Sequence, residues 1–186
     1  DLLNRLLKRC TTPVVAVWDA EMILPYKQID ESLDMIMNGK AAMVIPYDQT
    51  VLFLSEEQTV ASLRADSILE HLQLHSASYR RWLGRPSCGG LFFVNREVYL
   101  KCGGENEHFY GWGPEDAERV RRMEILGYPV GVNTEGPLYH LWHPRGDNSR
   151  FFNRQLASNS RLELIRICNM DTKELTDDVA SWRNRK

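Results

Sequence analysis

The chain has 186 residues, 43% of them apolar, which is enough for one domain with its own core. Its 23 basic residues stand against 25 acidic ones, a net charge of −2, so composition shows no electrostatic footprint for nucleic acid or an anionic membrane. No stretch approaches the length of a membrane span, Asp1-Leu2-Leu3-Asn4 does not read as a signal peptide, and Cys10, Cys88, Cys102 and Cys168 lack the CxxC spacing of a structural zinc site and are expected as free thiols.

In chain order, Leu2, Leu3, Leu6 and Leu7 form a helical stripe that ends at Thr11-Thr12-Pro13. Val14 to Trp18 is a continuous apolar, β-branched run, which predicts a strand buried on both faces of a parallel sheet. Asp19 and Glu21 follow it directly. One residue apart on an extended backbone, their side chains would point the same way and could share a cation; the plainer alternative is an Asp that caps a helix beside a solvated Glu. Ile29 to Met37 predicts a helix closed by Asn38-Gly39, Ala41 to Pro46 a second apolar strand, and Leu52 to Leu54 a short third one. Ser55 and Gln58 have capping-box spacing for a helix running through Leu63 to Leu74. His71 and His75 share a face of that helix, with no third metal ligand nearby in the sequence.

Residues 88–130 carry the densest chemistry. A strand at Leu91 to Asn95 leads into a helix near Arg96 and a Gly103-Gly104 break. The cluster Phe109-Tyr110-Gly111-Trp112-Gly113-Pro114 then precedes a helix from Glu115 to Leu126 that stops at Gly127. Pro114 suits a first helical turn, and Glu115, Asp116 and Glu118 suit the helix dipole, which explains the helix start but not the Gly-Trp-Gly before it. Gly111 and Gly113 would present Trp112 from a bent loop. A flat apolar face beside two carboxylates is what a sugar requires for its C–H face and its hydroxyls.

Tyr128 to Asn133 predicts a further strand. In Gly136 to Arg145, GPLYHLWHPR, His140 and His143 are three apart; on a regular strand they would face opposite ways, so one site can use both only if the chain bends, as Pro144 and Gly146 allow. Phe151 to Cys168 and Thr172 to Trp182 read as amphipathic helices before a solvated basic end.

The pattern GG-x-F-x-x-N-R-E, a GG break, F-Y-G-W-G-x-E-D, a helix and G-Y-x-V spans about forty residues and resembles the C-terminal half of the catalytic domain of inverting GT-A glycosyltransferases. The resemblance is to the galactosyltransferase and N-acetylgalactosaminyltransferase families in particular, and the β-1,4-galactosyltransferases carry a similar W-G-W-G-G-E-D segment. It implies an α/β fold, a partial GT-A (nucleotide-diphospho-sugar transferase) fold with a mixed sheet flanked by helices, lacking the N-terminal nucleotide-binding half. Residues 1–150 would be the C-terminal portion of that domain and residues 151–186 a C-terminal helical extension.

The same resemblance implies metal-dependent transfer, with inversion, of a hexose or N-acetylhexosamine from a UDP-sugar to a glycan acceptor, as in polysaccharide biosynthesis. Asp116 would be the base and Glu115 would hydrogen-bond the acceptor. Trp112 and Tyr110 would stack on the sugar, and Gly89 and Gly90 would let the backbone approach the acceptor. The segment V-V-A-V-W-D-A-E looks like the D-x-D strand end of these enzymes with Glu21 in place of the second Asp. Asp19, Glu21, His140 and His143 would then hold Mn²⁺ or Mg²⁺ against the diphosphate, and Arg145 would pair with phosphate. The nucleotide-binding half would come from a missing N-terminal part or a partner chain. Location is expected to be cytoplasmic, of bacterial type, or the Golgi lumen if a signal anchor has been removed. The rival reading is a non-catalytic carbohydrate-binding module or inactive transferase fragment, which needs the tryptophan and carboxylates but no metal set. A glycosidase would need carboxylates on opposite sides of the scissile bond, which adjacent Glu115 and Asp116 do not readily provide.

Overall fold

Two four-stranded mixed sheets, flanked by helices, organise the computed structural model, which describes residues 2–82, 84–109, 113–146 and 153–182. Helix α1 (Leu2–Arg9) leads into β1 (Val14–Trp18), and a turn at residues 19–21 passes to β2 (Met22–Ile23). There follow α2 (Tyr26–Met37), β3 (Met43–Ile45), β4 (Val51–Phe53), α3 (Glu56–Arg64), α4 (Ile68–Leu74), β5 (Arg80–Arg81), β6 (Leu91–Asn95) and α5 (Arg96–Lys101). The chain continues through α6 (Glu115–Ile125), β7 (Val130–Val132), β8 (Leu138–His140), α7 (Arg154–Cys168) and α8 (Thr172–Trp182).

The larger sheet has the order β1-β6-β3-β7; β6 runs antiparallel to both its neighbours, and β7 is parallel to β3. Its centre is enclosed, with Met43, Val44, Phe92 and Val94 almost completely removed from solvent. The smaller sheet has the order β2-β8-β4-β5 and its own apolar cluster of Leu54, Leu72, Tyr79 and Tyr139. A third cluster, Ile167, Leu175 and Val179, seats α7 and α8 against the end of α6 at Ile125 and Leu126. None of the helices among the described residues is long and apolar enough to cross a membrane.

Local signals set most element ends. Asn95 caps α5 by accepting from the Val98 N–H, and Gly39 and Gly127, at φ +70° and +81°, follow the ends of α2 and α6 in the left-handed conformation that only glycine adopts at little cost.

Two expectations fail. The Val14 to Trp18 run is not a doubly buried strand in a parallel sheet: β1 lies at an edge, antiparallel to β6, and Trp18 is 40% exposed. A run of β-branched residues is satisfied by one covered face, and periodicity cannot count the faces. The helix expected through Leu63 to Leu74 is two helices. Ser55 and Gln58 form the expected capping box on α3, but Ala65 is extended and Ser67 starts α4 by accepting from the Glu70 N–H.

Candidate functional site

The turn between β1 and β2 places the first acids. The Asp19 N–H donates to the Gly90 carbonyl (3.0 Å), and the Met22 N–H closes on the Asp19 carbonyl (3.0 Å). The two acids therefore stand on a turn and not on an extended strand, which corrects the same-side argument: Asp19 lines a cleft beside the larger sheet, while Glu21 approaches β8 of the smaller one.

Strand register builds the imidazole part of the site. His140 is opposite Met22 on one side and Phe53 on the other, and Phe53 is opposite Arg80. Directly paired residues share a face of the sheet, so their side chains meet. The His140 ring stacks on Phe53 at 3.9 Å between centroids, and Phe53 stacks on Trp82 at 4.3 Å. Strand β8 stops at His140, and the Trp142 N–H leaves the ladder to donate to Thr59 Oγ1 (2.8 Å). That departure from the strand brings His143 back over His140, ring to ring at 5.3 Å and nearly parallel. The bend that both histidines needed is present, just before Pro144.

Glu21 Oε1 lies 3.8 Å from His140 Nε2 and 3.5 Å from His143 Nε2, and one ligand atom from each of the three falls within 4.8 Å of the others. Each imidazole has its Nδ1 against a backbone carbonyl, Leu141 for His140 (2.7 Å) and Pro144 for His143 (3.1 Å). A carbonyl only accepts, so Nδ1 carries the hydrogen and a neutral ring turns its Nε2 lone pair toward Glu21. Burial lowers the His140 pKa from its ordinary 6.5, against the opposing pull of Glu21, and favours that neutral form. One carboxylate and two imidazoles are a donor set that suits a first-row divalent cation.

Asp19 is not one of the three, but it couples them to the neighbouring cleft, a space of about 560 Å³ that it lines together with Glu115, Asp116, Arg119, Leu2 and Leu3. Burial, then Glu21 and Asp116, push the Asp19 carboxyl up to about 6, with Arg119 and His143 pulling the other way. Asp116 stands in the first turn of α6, where Oδ1 accepts from Arg119 Nη1 (2.6 Å). Arg119 is itself buried, donates to Glu105 (2.8 Å) and the Tyr99 hydroxyl (3.0 Å), and lies over the Phe92 ring at 4.4 Å. A guanidinium tied at three points is a rigid support, so it fixes the carboxylate that it holds. Asp116 Oδ2 packs against Gly89, where a Cβ would collide with it, and the Gly89 carbonyl accepts from the Tyr47 hydroxyl (2.6 Å). Gly90 has φ +84°, and a Cβ there would strike the Met22 side chain. Burial, then Asp116, push Glu115 up to about 7, and its Oε2 is buried with no hydrogen-bond partner among the described residues.

Arg145 lies with Cζ 5.0 Å from the Trp82 ring. Tyr110 and Trp112 lie outside the described residues. The supports Arg119, Phe53 and Trp82 were not singled out from sequence. The Asp116–Arg119 spacing of three on a helix was a readable signal for the first; the stacking rings are brought together only by strand register.

Residues 70–144 match the family model described as the N-terminal domain of galactosyltransferase. Beta-1,4-galactosyltransferase 7 of Mus musculus and that of Homo sapiens are each 34% identical to the chain over 61 residues, a stretch that makes up 30% of this chain and 19% of either relative. Among solved structures, the mannosyltransferase PcManGT from Pyrobaculum calidifontis, in complex with GDP-Man and Mn²⁺, superposes with a TM-score of 0.47 at 13% identity, covering 97% of this chain and 52% of that one. The chain thus spans about half the length of that structure, and its match to the two curated relatives covers less than a fifth of theirs. The family-model match encloses Gly89, Gly90, Glu115, Asp116, His140 and His143, and over this segment the chain resembles the glycosyltransferases of the galactosyltransferase type.

Proposed function

We propose that this chain forms the metal-side and acceptor-side part of an inverting GT-A glycosyltransferase that moves a hexose or N-acetylhexosamine from a UDP-sugar to a glycan acceptor. Residues 1–150 are the portion of the transferase domain and residues 151–186 its helical extension. The observation that carries the reading is the convergence of Glu21, His140 and His143 on one point, with Asp19 between them and the acidic start of α6. A module that only bound sugar would have no use for that convergence.

Glu21, His140 and His143, with Asp19 beside them, would hold Mn²⁺ or Mg²⁺, the imidazoles favouring Mn²⁺. When bound, the ion supplies Lewis-acid stabilisation of the charge that develops on the leaving diphosphate. The acceptor hydroxyl oxygen attacks the anomeric carbon as the bond from that carbon to the diphosphate breaks, and the hydroxyl proton passes to Asp116. Arg119 occupies Oδ1 of that carboxylate, so Oδ2 is the atom to take the proton. Glu115 Oε2, buried without a partner among the described residues, is suited to an acceptor hydroxyl. Trp112 and Tyr110 stack on the sugar, and Arg145 pairs with phosphate.

The test has two arms. Thermal unfolding is followed with UDP, with Mn²⁺ and with both; stabilisation that requires both ligands is expected, and no shift in any condition would leave a binding module or inactive fragment as the better account. In the assembled enzyme, Asp116→Asn should lower transfer by about 10²–10⁴-fold while donor binding persists; unchanged turnover would remove Asp116 from the role.

A further inference from the structure

Trp82 gathers two arginines. Arg80 places Cζ 5.7 Å from the Trp82 ring centroid and 5.9 Å from that of Phe53, and Arg145 places Cζ 5.0 Å from the same Trp82 ring. Both side chains belong to exposed residues, and among the described residues neither guanidinium meets a carboxylate at ion-pair distance. Arg80 is fixed by its register opposite Phe53, and Arg145 follows the bend after His143. Two like charges on one indole repel, and exposed cation–π contacts offset that only in part. An oxyanion bound beside the Trp82 ring, within reach of the long side chains of both arginines, would offset that charge. The stack therefore has opposite charge at its two ends, the acids Glu21 and Asp19 near His143 and the arginines around Trp82.

We infer that Arg80 and Arg145, braced on Trp82, form an oxyanion subsite for the charged part of a saccharide substrate, either the donor phosphate or a carboxylate or sulfate on an acidic acceptor glycan. The inference deepens the transferase reading and rests on it for the identity of the substrate. Anion capture by the pair itself needs neither the cation nor Asp116.

The experiment is calorimetric titration of the full chain in EDTA with inorganic pyrophosphate, a sulfated disaccharide and the neutral disaccharide of the same size. An anion is expected to bind and the neutral sugar not; Arg80→Gln and Arg145→Gln should each weaken the anion about tenfold, through loss of one charged fork. Arg81→Gln, whose guanidinium donates to Thr50 Oγ1 (3.0 Å), should leave binding within about twofold, as a charge outside the pair. Preference for pyrophosphate assigns the subsite to the donor, and preference for the sulfated sugar assigns it to the acceptor. Absence of anion binding, or an equal loss in Arg81→Gln, would overturn the subsite. If anion binding survives where the Mn²⁺ and UDP shift fails, only the transferase reading falls; if the shift is present and anion binding is absent, only the arginine pair does.

Discussion

The protonation of Glu115 is set by the fold, because its carboxyl is enclosed beside Asp116 with one oxygen unpartnered among the described residues. Its pKa is raised from 4.5 to about 7, so between those values the folded chain binds a proton that the unfolded chain releases. Stability is unaffected by this group below about pH 4.5 and falls as pH rises through the interval to 7. Glu115→Gln keeps the shape without the charge. Its melting temperature should match the parent at pH 4 and exceed it at pH 8 by at least about 2 °C, the change that roughly 1 kcal/mol produces in a domain of this size. Equal differences at both pH values would show that Glu115 is not held with a raised pKa.

At the scale of elements, α6 is anchored by a buried pair. Arg122 is fully enclosed; it donates to Glu118 (2.7 Å), to the Gly104 carbonyl (2.7 Å) and to the Cys102 carbonyl, tying the helix to the segment after α5. Arg122→Met would leave the Glu118 carboxylate and two carbonyls without that donor, at a cost of about 3–5 kcal/mol readable as a lower urea midpoint. A change under about 1 kcal/mol would mean that the pair is not buried in solution. Such pairs show the limit of sequence reading. The start of α6, the strand at Leu91 to Asn95 and the span of α8 were legible because Pro114, Asn95 and a regular apolar repeat act within a few residues. Arg119 and Arg122 look like solvated helix charges until the segment around Glu105 and Cys102 covers them. The edge position of β1 is likewise set by partners about eighty residues away in β6, which no local pattern records. The acids and imidazoles of the site were legible as residue types; their convergence depends on the β2–β8–β4 register.

In the whole molecule the two sheets share no strand but share the main core, where Met22, Val51 and Leu138 of the smaller sheet pack in one cluster with Met43, Val44 and Phe92 of the larger, and one joint between them is the turn at residues 19–21, where Asp19 and Glu21 stand. Asp19 is held to Gly90, which leads into β6 of the larger sheet, while Glu21 faces His140 and His143 at the end of β8 in the smaller one. Mn²⁺ held by Glu21 and the two imidazoles should slow amide exchange in both β8 and β1, whereas protection confined to β8 would show that nothing crosses the joint. Because the two sheets share one interior, a ligand seated at these acids also works as a rivet in a body already closed by packing, so that affinity at one small spot is felt as added stiffness in both sheets.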